Sequence, residues 1–132
     1  MYRILLVDDE EAIREELGIF LERKHFEVVK GVNGLDGFAL FERVRPDLVI
    51  TDYRMPQLNG IELIQKMKAA APAIPIVMLS GQADRNVCAQ SLRNQAYAFL
   101  EKPVDLKELY AVIQEALAGH PKTAPRPAIS GG

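Results

Sequence analysis

Along the chain, short apolar runs alternate with longer stretches in which apolar residues recur every three or four positions. Ile4 to Val7, Phe26 to Val29, Leu48 to Thr51, Ile76 to Leu79 and Tyr97 to Leu100 are predicted as five strands. Three of these are almost unbroken apolar runs, the pattern of parallel strands covered on both faces. Between them, Ile13, Leu17, Phe20 and Leu21 share one helical face, as do Leu106, Leu109, Tyr110, Ile113 and Leu117. Leu35, Phe38, Phe41 and Val44 make a looser stripe, and Ile61, Ile64 and Met67 another. The stretch from Asp84 to Gln95 predicts the weakest helix, with only Val87, Cys88, Ala89 and Leu92 to bury. Gly18 and Gly37 fall inside predicted helices and should weaken each by up to about 1 kcal/mol relative to alanine. Strict alternation of strands and helices predicts an open α/β fold with a parallel sheet. After Leu117 the periodicity stops. Gly119 and Pro121 end the last helix, and residues 119–132, with Pro125, Pro127 and a Ser-Gly-Gly end, are predicted as a tail or linker.

A length of 132 residues suits one domain with a substantial core. With 48% hydrophobic and 26% charged residues and a net charge of -2, nothing favours general binding to nucleic acid or to an anionic membrane. No apolar run approaches the roughly 20 residues that span a bilayer. The apolar run at the N-terminus stops at Asp8, which is unlike a signal peptide. Cys88 is the single cysteine, so no internal disulfide forms, which fits a reducing cytoplasm. On an apolar face it reads as a small core residue, while His25 at a turn and His120 in the tail suggest neither a metal ligand nor a phosphocarrier.

Polar residues stand at the predicted strand ends: Asp8 and Asp9 after strand one, Asp52 after strand three, Ser80 after strand four and Lys102 after strand five. Each has a bland reading. Asp8-Asp9 could cap the following helix, Asp52 could be a solvated loop residue, Ser80 a turn residue before Gly81, and Lys102 a surface lysine. Together these readings require four unrelated coincidences, at the edge of a parallel sheet where ligand crevices lie. Three carboxylates in one crevice repel one another and call for a cation, and oxygen ligands suit Mg²⁺. A carboxylate becomes a nucleophile toward phosphorus when cations neutralise the transferring oxygens. Lys102 supplies such a charge, and Ser80 a hydroxyl donor.

The segments Ile4-Leu5-Leu6-Val7-Asp8-Asp9-Glu10, Asp52-Tyr53-Arg54-Met55-Pro56 with Asn59-Gly60, Leu79-Ser80-Gly81 and Phe99-Leu100-Glu101-Lys102-Pro103 resemble, in order and spacing, the response-regulator receiver domains of two-component signalling. The resemblance covers Tyr2 to about Ala118 and implies a receiver domain over residues 1–118. It implies a doubly wound, flavodoxin-like five-stranded parallel sheet in the order 2-1-3-4-5 with helices on both faces. It further implies that Asp52 accepts a phosphoryl group from a histidine kinase or phosphotransfer protein, and that the domain is a signalling module rather than an enzyme acting on other substrates. Asp9 and Asp52 would ligate Mg²⁺ through side chains, Arg54 through its backbone carbonyl and Asp8 through water, with Lys102 pairing to the phosphoryl group. Ser80 and Phe99 match the family's switch pair. Arg54 and Gln82 match the positions that tune dephosphorylation. The output would be a domain or partner protein controlled through the surface of helix four, strand five and helix five, where homodimerisation is common. The Asp52 and Ser80 segments are similar to receivers joined to cyclic-di-nucleotide phosphodiesterase or transcription-activator modules.

Two departures stand out: Gln95-Ala96 replaces the usual glycine-alanine before strand five, and Ala98 replaces a frequent acid. Other classes fit less well. An aspartyl-phosphate phosphatase would carry its nucleophile after strand one and needs a cap or long substrate loop. A flavin binder needs a Ser/Thr/Gly-rich phosphate loop where this chain has Asp8-Asp9-Glu10-Glu11. A phosphate-binding Gly-x-x-x-x-Gly-Lys loop is absent. A receiver used only for binding is disfavoured by the full set of phosphorylation residues.

Overall fold

The computed structural model describes residues 1–81 and 85–119. Strands and helices alternate without exception: β1 (Arg3–Val7), α1 (Glu11–Arg23), β2 (Glu27–Gly31), α2 (Gly34–Val44), β3 (Leu48–Asp52), α3 (Gly60–Ala70), β4 (Ile76–Ser80), α4 (Arg85–Arg93), β5 (Ala98–Glu101) and α5 (Leu106–Ala118). The strands form one parallel sheet in the order β2-β1-β3-β4-β5. Residues 120–132, most of the predicted tail, lie outside the described residues, as do Gln82 and Asp84.

Side chains alternate across a strand, so each central strand feeds two cores. Leu5, Val7, Val49, Ile76 and Met78 point to one layer, closed by Phe41, Leu63, Ile64, Met67 and Val87 from α2, α3 and α4. Ile4, Leu6, Leu48, Ile50, Val77 and Leu79 point to the other, closed by Leu17 and Leu21 of α1 and Leu109, Ile113 and Leu117 of α5. All five residues of β1, β3 and β4 are buried, which accounts for their unbroken apolar runs. Among the described residues no helix is long and apolar enough to cross a membrane.

Local chemistry sets the helix starts. Asn59 and Glu62 form a reciprocal capping box on α3, each side chain accepting the other's backbone N–H at 2.9 Å. Asn33 caps α2 and Asp105 caps α5. Of the two glycines expected inside helices, Gly37 sits where bulk is excluded by the core, while Gly18 faces only the movable end of Lys30. A Cβ on Gly37 would lie 2.8 Å from Val7 Cγ2, and one on Gly18 would lie 2.6 Å from Lys30 Cε. The turn before β5, where a glycine is absent, is made by Gln95 at φ 70, a left-handed conformation that costs a residue with a Cβ.

Two expected stripes are corrected. Leu35, placed on the buried face of α2, is 53% exposed, and Leu92, placed on the buried face of α4, is 52% exposed. Ala89 is exposed too, and in α4 Ser91 is buried beside Val87, its hydroxyl donating to the Val87 carbonyl at 2.6 Å. A serine that satisfies its hydroxyl within its own helix packs like a small apolar residue. The polar pattern therefore hid a core position.

Candidate functional site

The strand register brings the polar strand ends together. Val7 pairs with Thr51, so Asp8 and Asp52 emerge side by side from the two central strands. Ser80 pairs with Glu101, and the Lys102 backbone N–H donates to the Ser80 carbonyl at 2.8 Å, which sets Lys102 just past the end of β5. This is the point where strand order reverses about β1, and there the sheet opens a crevice. Asp8 and Asp52 are buried, at 0% and 4% exposure, and Ser80 is buried with them.

Lys102 Nζ is the hub of the crevice. It lies 3.1 Å from Asp52 Oδ1, 3.4 Å from Asp8 Oδ2 and 3.7 Å from Glu10 Oε1. Backbone donors hold both buried acids: Glu10 N–H to Asp8 Oδ1 and Tyr53 N–H to Asp52 Oδ1, each at 2.9 Å. The loop after β3 is drawn in by Gly60, where a Cβ would meet the Asp52 carbonyl oxygen at 2.6 Å. Only glycine lets α3 begin that close to the end of β3.

One ammonium among three carboxylates, two of them buried, leaves uncompensated negative charge in the crevice. Burial, reinforced by the charge on Asp8, pushes the Asp52 carboxyl up to about 6 against the pull of Lys102. Burial also raises Asp8, opposed by the Glu10 N–H and by Lys102. Burial works to lower the Lys102 ammonium, but the charges of Asp52 and Asp8 outweigh it and the net direction is upward. Oxygen atoms of Asp8, Glu10 and Asp52 lie within 4.8 Å of one another. A donor set made only of carboxylate oxygens, short of positive charge, fits a hard divalent cation.

The sequence candidates are distributed unevenly around this centre. Asp8, Asp52 and Lys102 meet directly. Asp9 is exposed and turns instead to an adjoining cleft of about 360 Å³, lined also by Tyr53, Arg54, Met55, Pro56 and Asn59. Met78 pairs with Phe99, so Ser80 and Phe99 share one sheet face on neighbouring strands, with Phe99 half-buried against the core beside α4. Gln82 falls outside the described residues. Two participants escaped the sequence reading. Glu10 stood at the end of the first motif segment without a role assigned to it, and Arg14, whose guanidinium donates to the Asp8 carbonyl at 2.7 Å, carried no signal at all.

The sequence profile of the response regulator receiver domain matches residues 4–114. The chain belongs to that family. Among receiver relatives, it is 36% identical to protein PilH of Pseudomonas aeruginosa over 121 residues, covering 90% of this chain and all of PilH. It is 34% identical to the regulatory protein AtoC of Escherichia coli over 115 residues, covering 87% of this chain but 25% of AtoC. The chain thus spans about a quarter of the length of several regulators it matches. A response regulator receiver domain from Clostridium thermocellum superposes with a TM-score of 0.87 at 28% identity, covering 90% of this chain and 96% of that one. The receiver fold and strand order expected from the motifs are those observed.

Proposed function

We propose that this receiver domain takes a phosphoryl group onto Asp52 and relays the event through Ser80 and Phe99 to its α4–β5–α5 surface. The observation that carries this reading is the Asp52 carboxylate at the end of β3, buried and 3.1 Å from Lys102 Nζ, with Asp8 and Glu10 beside it. An Asp52 oxygen attacks phosphorus, the bond from phosphorus to the donor breaks, and an acyl phosphate forms. The Tyr53 N–H and Lys102 fix the orientation of the carboxylate, so the attack starts from a prepared geometry. Lys102 neutralises phosphoryl oxygens as their charge develops. Mg²⁺, when bound, supplies the additional positive charge that lets two anionic groups approach. Asp8, Asp9 and Asp52, with the Arg54 carbonyl, are its proposed ligands, and Glu10 offers one more oxygen on the same side. The domain acts on itself alone; its partners are a histidine kinase or phosphotransfer protein upstream and an output domain or second protein downstream.

Ser80 provides the hydroxyl that turns toward the new dianion, and Phe99, half-buried on the same sheet face, completes its burial behind it. Leu92 and Tyr97, both exposed beside β5, give the α4–β5–α5 face the apolar surface for self-association or partner binding. Residues 119–132 serve as the tail or linker, and the cytoplasm is the compartment. Arg54 and Gln82 set the lifetime of the phosphorylated state. Incubation with acetyl phosphate and Mg²⁺ tests the core of this reading: the intact chain gains one phosphoryl mass, and Asp52→Asn gains none. Equal labelling of the variant would overturn the assignment.

A further inference from the structure

Arg14 lies in the first turns of α1, yet both of its donor groups reach back into the loop that carries the acids. Its backbone N–H donates to the Glu10 carbonyl at 3.0 Å, and its guanidinium Nη1 to the Asp8 carbonyl at 2.7 Å. Asp8 is one residue past the last pair of the β1 ladders, and it is fully buried. A buried carbonyl needs a partner, and Arg14 is one. The contact does more than satisfy an oxygen. Because a peptide unit is planar, holding the Asp8 carbonyl also orients the Asp8–Asp9 peptide plane, the first link of the acidic loop. This loop has strong reason to spring open. Its carboxylates repel one another, and Glu10, the N-cap of α1, makes no side-chain capping bond.

We propose that Arg14 is a positioning residue of the phosphorylation site, acting through the Asp8 carbonyl to hold the acidic loop in its cation-binding shape. The proposal rests on the phosphoacceptor reading above and deepens it. Arg14 acts through the backbone of the acidic loop, not as a ligand or a reacting group. A planar guanidinium aimed at one carbonyl is not replaced by the shorter, single-point ammonium of lysine.

The test compares wild type, Arg14→Met and Arg14→Lys in the 132-residue chain. Mg²⁺ affinity is read by calorimetry, and hydrogen exchange of the Glu10 amide, which is bonded to Asp8 Oδ1, is read without metal. Exchange of the β3 amides confirms that the core is intact. Arg14→Met should weaken Mg²⁺ binding by about tenfold, as loss of outer-shell support does, and speed Glu10 exchange. The phosphorylation rate at saturating Mg²⁺ should stay within about twofold of wild type, because the reacting groups are unchanged. Arg14→Lys should fall between. Unchanged Mg²⁺ affinity and unchanged Glu10 exchange in Arg14→Met would overturn the proposal, and so would full recovery by lysine, which would show that the guanidinium geometry is not needed. A wild-type chain that binds no Mg²⁺ contradicts the functional reading instead, and Glu10 exchange then decides the positioning role by itself.

Discussion

Replacing Asp52 with asparagine should make the metal-free domain more stable, although it removes the proposed phosphoacceptor. The Asp52 carboxyl is held at about 6 in the fold, against an ordinary value of 3.8. The folded chain therefore keeps this proton more tightly than the unfolded chain does. Below about pH 4 both states are protonated and the residue costs nothing. As pH rises from there to about 6, the unfolded state gives up its proton first, and the fold loses stability relative to it. Above about pH 6 the full penalty applies. At about 1.36 kcal/mol per pKa unit, the penalty comes to about 3 kcal/mol. Asp52 is 4% exposed, so solvent screening reduces this little. Asparagine keeps the shape and an acceptor for the Tyr53 N–H but carries no charge. Urea denaturation without Mg²⁺ should show Asp52→Asn more stable by about 2–3 kcal/mol at pH 7, a rise in Tm on the order of 5–12 °C. The gap should close as pH falls from about 6 to about 4. Saturating Mg²⁺ should narrow it at pH 7, because the wild type gains binding energy that the variant lacks. A gap that is independent of pH, or a variant less stable than wild type at pH 7, would show that the buried charge of Asp52 does not destabilise the fold.

Other substitutions probe the frame around this charge. Gly60→Ala forces a Cβ to 2.6 Å from the Asp52 carbonyl oxygen and 2.8 Å from Met78 Sδ, so thermal unfolding should show a loss of about 1–3 kcal/mol, accompanied by slower phosphorylation. Gln95→Gly relieves a left-handed residue at φ 70; denaturation should register a gain of up to about 1 kcal/mol, with phosphorylation unchanged. Arg54→Ala removes a long cation from the cleft beside Asp9, and phosphate release from the phosphorylated chain should change in rate while Mg²⁺ affinity stays nearly constant.

Much of this architecture was legible because burial on both faces leaves an unmistakable trace. The runs Ile4 to Val7, Leu48 to Thr51 and Ile76 to Leu79 are apolar at nearly every position because α1 and α5 cover one side and α2, α3 and α4 the other. Asp8, Asp52, Ser80 and Lys102 were legible for a related reason, since polar residues at the carboxyl ends of such strands have nowhere to go but the crevice. Helix faces were less readable. Leu92 lies in solvent and Ser91 in the core because a serine can satisfy its hydroxyl on the Val87 carbonyl, which no hydropathy pattern records. Arg14 was invisible for a similar reason: it meets a backbone carbonyl, and a carbonyl has no residue type to pattern against. Glu10 closed the first motif segment without an assigned role, and only the fold shows that its carboxylate oxygen, rather than that of Asp9, lies close to Asp8 and Asp52.

The most direct measurement locates the phosphoryl group on the chain. After incubation with acetyl phosphate and Mg²⁺, borohydride reduces an aspartyl phosphate to homoserine, and peptide mass spectrometry finds the converted position. Conversion is expected at Asp52 alone, dependent on Mg²⁺ and lost in Asp52→Asn. Conversion at Asp8 or Asp9, or none anywhere in a folded chain that binds Mg²⁺, would contradict the proposed phosphoacceptor.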